Sequence, residues 1–153
     1  MAQDIDYKNS INLPKTDFPM KADLAVREPQ MIRQWLDNKV YEKIIARRQN
    51  APVFAMQDGP PYANGGLHMG HVLNKCLKDI TIKYQNLQKR KAVFIPGWDC
   101  HGLPIEHKVI KDLGAKAKEA TPAMIRDLCR KEALKWVSHQ REQFQRLGII
   151  ADW

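Results

Sequence analysis

Two histidines three positions apart, His68 and His71, follow a loop rich in glycine and proline, Asp58-Gly-Pro-Pro-Tyr-Ala-Asn-Gly-Gly66, and stand where a helical pattern begins. At a helix start the first N–H groups lack intrahelical partners and the positive end of the dipole favours anions, so this is a place for phosphate. A spacing of three puts both imidazoles on one side of the turn. Two donors converging on phosphate oxygens stabilise charge that develops during displacement at phosphorus. Gly65 and Gly66 remove side chains so that a ligand can approach the backbone, and Gly70 leaves room for a flat ring to rest on it. The loop matches neither the GxxxxGK[ST] nor the GxGxxG phosphate loop. Two other readings stay open at this level. The histidines could be half of a metal site completed by Cys100, His101 and His107, although no metal-ligand spacing is recognisable. They could equally be ordinary polar contacts at a helix start.

A second stretch, Pro96-Gly-Trp-Asp-Cys-His-Gly-Leu-Pro-Ile-Glu106, places Asp99 just past an apolar run. A carboxylate beside phosphate-binding groups suits a cation; the alternative is a cap on a helix beginning near Gly102. Trp98 either walls a pocket or is plain core.

The elements around these residues decide whether they meet. Residues 1–27 read as an irregular leader, and residues 28–48 as one helix with Pro29 in its first turn. Val53–Gln57 is a short apolar run between breakers, predicted to be a buried strand. From Leu67 a helix follows, with Met69, Val72, Leu73, Cys76, Leu77, Ile80, Tyr84 and Leu87 on one face. Lys91–Ile95 is a second strand, ended by Pro96-Gly97. Strand, loop, helix, strand is a βαβ unit with parallel strands. The loops after both strands must open on one sheet edge, where ligands bind in open α/β sheets. Two more helices are predicted, Pro104–Leu113 stopped by Gly114, and one capped by Thr121-Pro122 and ended by Gly148. The apolar face of the last carries Ile125, Cys129, Trp136, Val137, Phe144 and Leu147.

The 153 residues, 44% hydrophobic and 27% charged, suffice for one domain with a real core. Lys and Arg exceed Asp and Glu by 25 to 17, a net charge of +8, which fits a polyanionic partner or a solubilising surface. Cys76, Cys100 and Cys129 form neither a CxxC pair nor a disulfide framework, as in a reduced cytosolic protein. Met1–Asp6 lacks a secretion-signal pattern, and no apolar stretch approaches the ~20 residues of a membrane span.

His68-Met69-Gly70-His71 resembles the HIGH signature of the class I aminoacyl-tRNA synthetases, with Met at an apolar position. Asp58-Gly-Pro-Pro-Tyr-Ala-Asn-Gly65 and Gly97-Trp-Asp-Cys-His-Gly-Leu-Pro-Ile-Glu106 look like the isoleucine-specific family, and Asn12-Leu-Pro-Lys-Thr-Asp-Phe-Pro-Met20 is similar to its bacterial and organellar form. The valine enzymes share Leu-His-Met-Gly-His but not the proline-rich loop; the leucine enzymes carry Ala-Phe where Cys100-His101 stand. The resemblance runs from about residue 9 to the end. It implies a Rossmann-like (HUP-type) parallel sheet, of which residues 51–153 form the first half, preceded by a leader and helix over residues 1–50. It also implies that the chain ends before an editing insertion and a lysine loop. The implied chemistry uses ATP with Mg2+, isoleucine and tRNA(Ile), in an enzyme that is monomeric when complete. His68 and His71 then contact the ATP phosphates and ribose, Gly70 lies under the adenine, and Asn64 and Gly65 shape the nucleotide loop. Asp99 binds the amino-acid ammonium, and Pro60 lines the side-chain pocket. The resemblance assigns no role to His101 or Glu106. The alternatives are another nucleotidyl transferase with an HxGH loop and a non-catalytic RNA-binding module.

Overall fold

The computed structural model describes residues 7, 11, 12 and 16–153. The leader motif at 12–20 lies partly outside them. Helix α1 spans Leu24–Asp37 and α2 Val40–Arg47; β1 is Val53–Ala55, α3 Met69–Leu87, β2 Lys91–Val93, α4 Leu103–Leu113 and α5 Pro122–Arg146, with a 3-10 turn at Gly114–Lys118 between the last two helices.

The single helix predicted over 28–48 is two. The chain turns at Asn38-Lys39, where Lys39 takes a left-handed conformation with φ of 50°. The first helix also starts earlier than predicted, so Pro29 lies inside it rather than in its first turn. None of the residues of α1 or α2 is fully buried.

The two strands are parallel, in the register Val53↔Lys91, Phe54↔Ala92 and Ala55↔Val93, and α3 joins them. Both are shorter than the five residues predicted for each. Val53 and Ala55 of β1 are exposed and only Phe54 turns inward, so β1 is not the buried strand expected. A strand paired on one side only, with no second layer over one face, keeps alternate residues in water. Beyond both strands the pairing resumes as a parallel bridge between Tyr62 and Asp99. Asp152 N–H donates to the Phe94 carbonyl at 2.9 Å, which lays the last described residues alongside the end of β2.

The apolar face expected on α3 exists but points outward: Met69, Leu73, Leu77, Ile80, Tyr84 and Leu87 are all more than half exposed. The face against the sheet carries Lys75, Asp79 and Ile82. The core gathers Ile82, Ala92, Phe94, Phe144, Ile149 and Ala151, and a second cluster gathers Ala63, Ile105 and Ala133. Trp98 packs against both, which makes it core. Each fully buried Phe or Ile contributes about 1.5–3 kcal/mol. Helix α5 ends with Gly148 at φ of 75°, and α4 ends at Gly114 with φ of 54°, both left-handed positions that glycine takes without strain. Of the α5 face, Leu147 stays exposed. No helix among the described residues is long and apolar enough to cross a membrane.

Candidate active site

The start of α3 is built by its own histidines. His68 is the N-cap; its Nδ1 accepts from Gly70 N–H at 3.1 Å and from His71 N–H at 3.4 Å. His71, three residues on, accepts the His68 N–H on its Nδ1 at 3.4 Å. This is a capping box made of two imidazoles instead of a hydroxyl and a carboxylate. The rings stack with centroids 3.6 Å apart. The Gly70 and His71 N–H groups, left for a phosphate by the sequence, are thus engaged by a side chain. An imidazole whose Nδ1 accepts carries its proton on Nε2 when neutral. Both rings therefore offer an Nε2–H donor. Burial pushes His71 below its ordinary value, and the neighbouring His68 and Lys75 add to this, so its neutral form is favoured.

Gly70 makes the cap possible. A Cβ there would stand 2.9 Å from His68 Cε1 and 3.0 Å from its Nδ1. The flat ring resting on bare backbone at Gly70 is the imidazole of His68. Gly65, by contrast, has open space where a Cβ would be.

Pro60, His68, Gly70 and His71 line one cavity of about 350 Å³, together with Gly59, Pro61, Tyr62, Asn74 and Lys75. That volume lies within the range of small-molecule sites. Asn64, Gly65 and Asp99 are not on its lining. Asp99 is nevertheless tied to the same loop: its N–H donates to the Pro61 carbonyl at 2.8 Å, and its carbonyl accepts from Ala63 N–H at 2.9 Å. The carboxylate is half-buried, and its Oδ1 accepts from His101 N–H at 3.1 Å. It does not cap α4, whose N-cap is Gly102 with no side-chain bond.

Sequence reasoning missed the group that holds this edge together. The Asp58 carboxylate takes Lys75 Nζ, Lys78 Nζ at 2.8 Å and Gly97 N–H at 2.9 Å. It joins the loop after β1, helix α3 and the turn after β2. Burial alone would raise the Asp58 carboxyl, but the Gly97 N–H and the two lysines hold it below its ordinary value. Lys75 is 2% exposed, with Nζ 5.6 Å from the Phe94 ring centroid and 5.3 Å from that of Phe144. Burial lowers its amine, and Asp58 offsets part of that. Aspartate at the end of a strand, followed by lysines at turn spacing, was the signal available. Asn74, on the cavity wall, carried none.

His101 and Glu106 lie elsewhere. They line a groove of about 510 Å³ between α4 and α5 with Cys100, Cys129, Arg126 and Arg130. All three cysteines are free thiols. Burial raises Cys100 and Cys129, with Asp99 adding to the first and Glu106 to the second. No three His, Cys, Asp or Glu side chains converge among the described residues as a metal site would need.

Residues 30–153 match the family model of the tRNA synthetases class I (I, L, M and V). The chain is 52% identical over 149 residues to an isoleucine–tRNA ligase of Kosmotoga olearia, across 97% of this chain and 16% of that relative. It is 50% identical, with the same coverage, to the isoleucine–tRNA ligase of Fervidobacterium pennivorans. With that of Sulfurovum sp. it shares 51% over 150 residues. The chain thus spans about a sixth of the length of the curated relatives it matches.

Proposed function

The chain belongs to the class I tRNA synthetases of the isoleucine, leucine, methionine and valine group, and from that membership we propose that it forms the nucleotide- and amino-acid-binding front of an isoleucine–tRNA ligase. Its small parallel sheet is the start of a Rossmann-like (HUP-type) domain over residues 51–153, with residues 1–50 as the approach to it. The whole enzyme works in the cytoplasm as a monomer on isoleucine, ATP with Mg2+ and tRNA(Ile).

In the reaction, the isoleucine carboxylate attacks the α-phosphate of ATP. The bond to the β-phosphate breaks, leaving isoleucyl adenylate and pyrophosphate. A ribose hydroxyl at the tRNA terminus then takes the isoleucyl group and releases AMP. The protein's part is positioning and charge stabilisation. His68 and His71 aim their Nε2–H groups at phosphate oxygens, where a hydrogen bond strengthens as negative charge gathers. Asn64 and Gly65 shape the loop beside the nucleotide, and Pro60 walls the side-chain pocket. Asp99 takes the ammonium of isoleucine on the carboxylate oxygen that His101 N–H leaves free. Adenine stacking over Gly70 requires the His68 ring to turn off that glycine, so nucleotide binding replaces the histidine cap.

The observation that carries this reading is the pair of stacked imidazoles whose cavity also holds Pro60, with Asp99 tied to the same loop. The test is calorimetric titration of the folded chain with ATP and with non-hydrolysable isoleucyl- and leucyl-adenylate analogues. Binding of the isoleucyl analogue ahead of the leucyl one is expected. No binding, or equal binding of the two analogues, would sink the assignment.

A further inference from the structure

Gln140 stands in the last third of α5, off the apolar face read from its sequence, and its side chain is fully buried. A buried carboxamide needs partners for two donors and an acceptor. Here Nε2 donates to the Tyr62 carbonyl at 3.0 Å and to the Gly65 carbonyl at 2.7 Å. Oε1 accepts from the Trp98 indole Nε1–H at 3.0 Å. The two loop carbonyls bracket Ala63 and Asn64, and Trp98 immediately precedes Asp99. One amide therefore grips the loop after β1 at two points and the segment after β2 at a third. The Tyr62–Asp99 bridge lies between those grips. One turn further along the same helix, Gln143 Oε1 accepts from Leu67 N–H at 3.0 Å, directly before the His68 cap.

We propose that Gln140 is a positioning residue of the amino-acid-activating site, setting the separation between the Pro60–Gly65 loop and Asp99. The proposal rests on the function argued above. The chemistry is specific to a primary amide. A methionine fills the same volume but leaves two carbonyls and an indole N–H without partners. An ionised glutamate accepts from Trp98 but turns a negative oxygen toward both carbonyls. A residue serving only to fill the core would be replaced by methionine without consequence, since that swap conserves volume.

The experiment compares the chain with its Gln140→Met variant in two measurements. Amide hydrogen exchange at Ala63 and Asp99, the two N–H groups of the bridge, is expected to quicken about tenfold or more while the amides of α3 keep their protection. Affinity for the isoleucyl-adenylate analogue is expected to fall by about tenfold, the loss of roughly one well-placed hydrogen bond when the loop and Asp99 shift apart. Unchanged exchange overturns the proposal, and so does faster exchange with unchanged affinity. If the parent chain itself binds no analogue, the functional reading falls, and the exchange data alone then decide whether Gln140 holds the two segments together. Should Gln140→Met fail to fold, Gln140→Glu replaces it. A protonated carboxyl donates to one carbonyl and accepts from Trp98, so protection of the bridge should return as pH falls. Equal loss at every pH would overturn the proposal.

Discussion

The two histidines at the start of α3 satisfy each other's backbone before any ligand arrives, and that has consequences for pH. Burial holds His71 below its usual 6.5 in the folded chain, so the unfolded chain binds that proton more readily. Its share of stability is whole above the unfolded value and is lost as pH drops below it. Melting temperature is accordingly expected to fall between about pH 7.5 and 5. His71→Gln, which keeps an acceptor at the capping position, should flatten that slope; an identical slope in the variant would show that other groups cause it. Asp99 makes a second test. Asp99→Asn keeps the acceptor for His101 N–H but loses the charge. Affinity for the isoleucyl-adenylate analogue should drop by about 1.5–3 kcal/mol, the range for hydrogen bonds to charged groups, with ATP affinity unchanged. Equal losses for both ligands would mark Asp99 as a loop-shaping residue.

Helix α3 carries its polar residues inward because the sheet edge needs them there. Lys75 and Lys78 meet Asp58, and Asp79 accepts from Ile150 N–H at 3.0 Å. At the other end, Asn86 bonds Ala92 and ties the helix to β2. Removing Asp58 would leave Lys75 buried without its partner, which costs about 3–5 kcal/mol in comparable pairs. Asp58→Ala is therefore expected to lower unfolding free energy by that amount in urea, more than a surface carboxylate would. A loss within about 0.5 kcal/mol would show that Lys75 finds water instead. The outward stripe from Met69 to Leu87 is the helix's other face. Large exposed apolar patches of this kind mark surfaces that associate.

At the scale of the molecule, the proposed reaction needs positive charge at the departing pyrophosphate, and the histidine cavity carries little of it. Lys75 is the only lysine or arginine on the lining of the histidine cavity among the described residues, and Asp58 already neutralises it. The run Lys89-Arg90-Lys91 lies at the entry to β2, while Asp99 follows its exit. The chain by itself is expected to show no isoleucine-dependent exchange of pyrophosphate into ATP above background. Robust exchange by the purified, folded chain would mean that these residues suffice without a further cation.

Local pattern was enough for the order of the elements from β1 onward, the glycine stops at 114 and 148 and the Thr121 cap, because each depends on neighbours a few residues away; the parallel pairing followed from the crossover helix between the two strands. It also marked His68, Gly70 and His71, since a short motif at a helix start is a local object. Tertiary structure alone decided which face of α3 turns inward. Periodicity shows that a stripe exists but not what lies opposite it, and Asp58 claims Lys75 across 17 positions. The break at Lys39 and the retreat of β1 into water likewise depend on what packs beside them. Gln140 is the clearest case. Its partners lie 42, 75 and 78 positions away, and a glutamine in a helix looks solvated until the carbonyls it serves are folded against it.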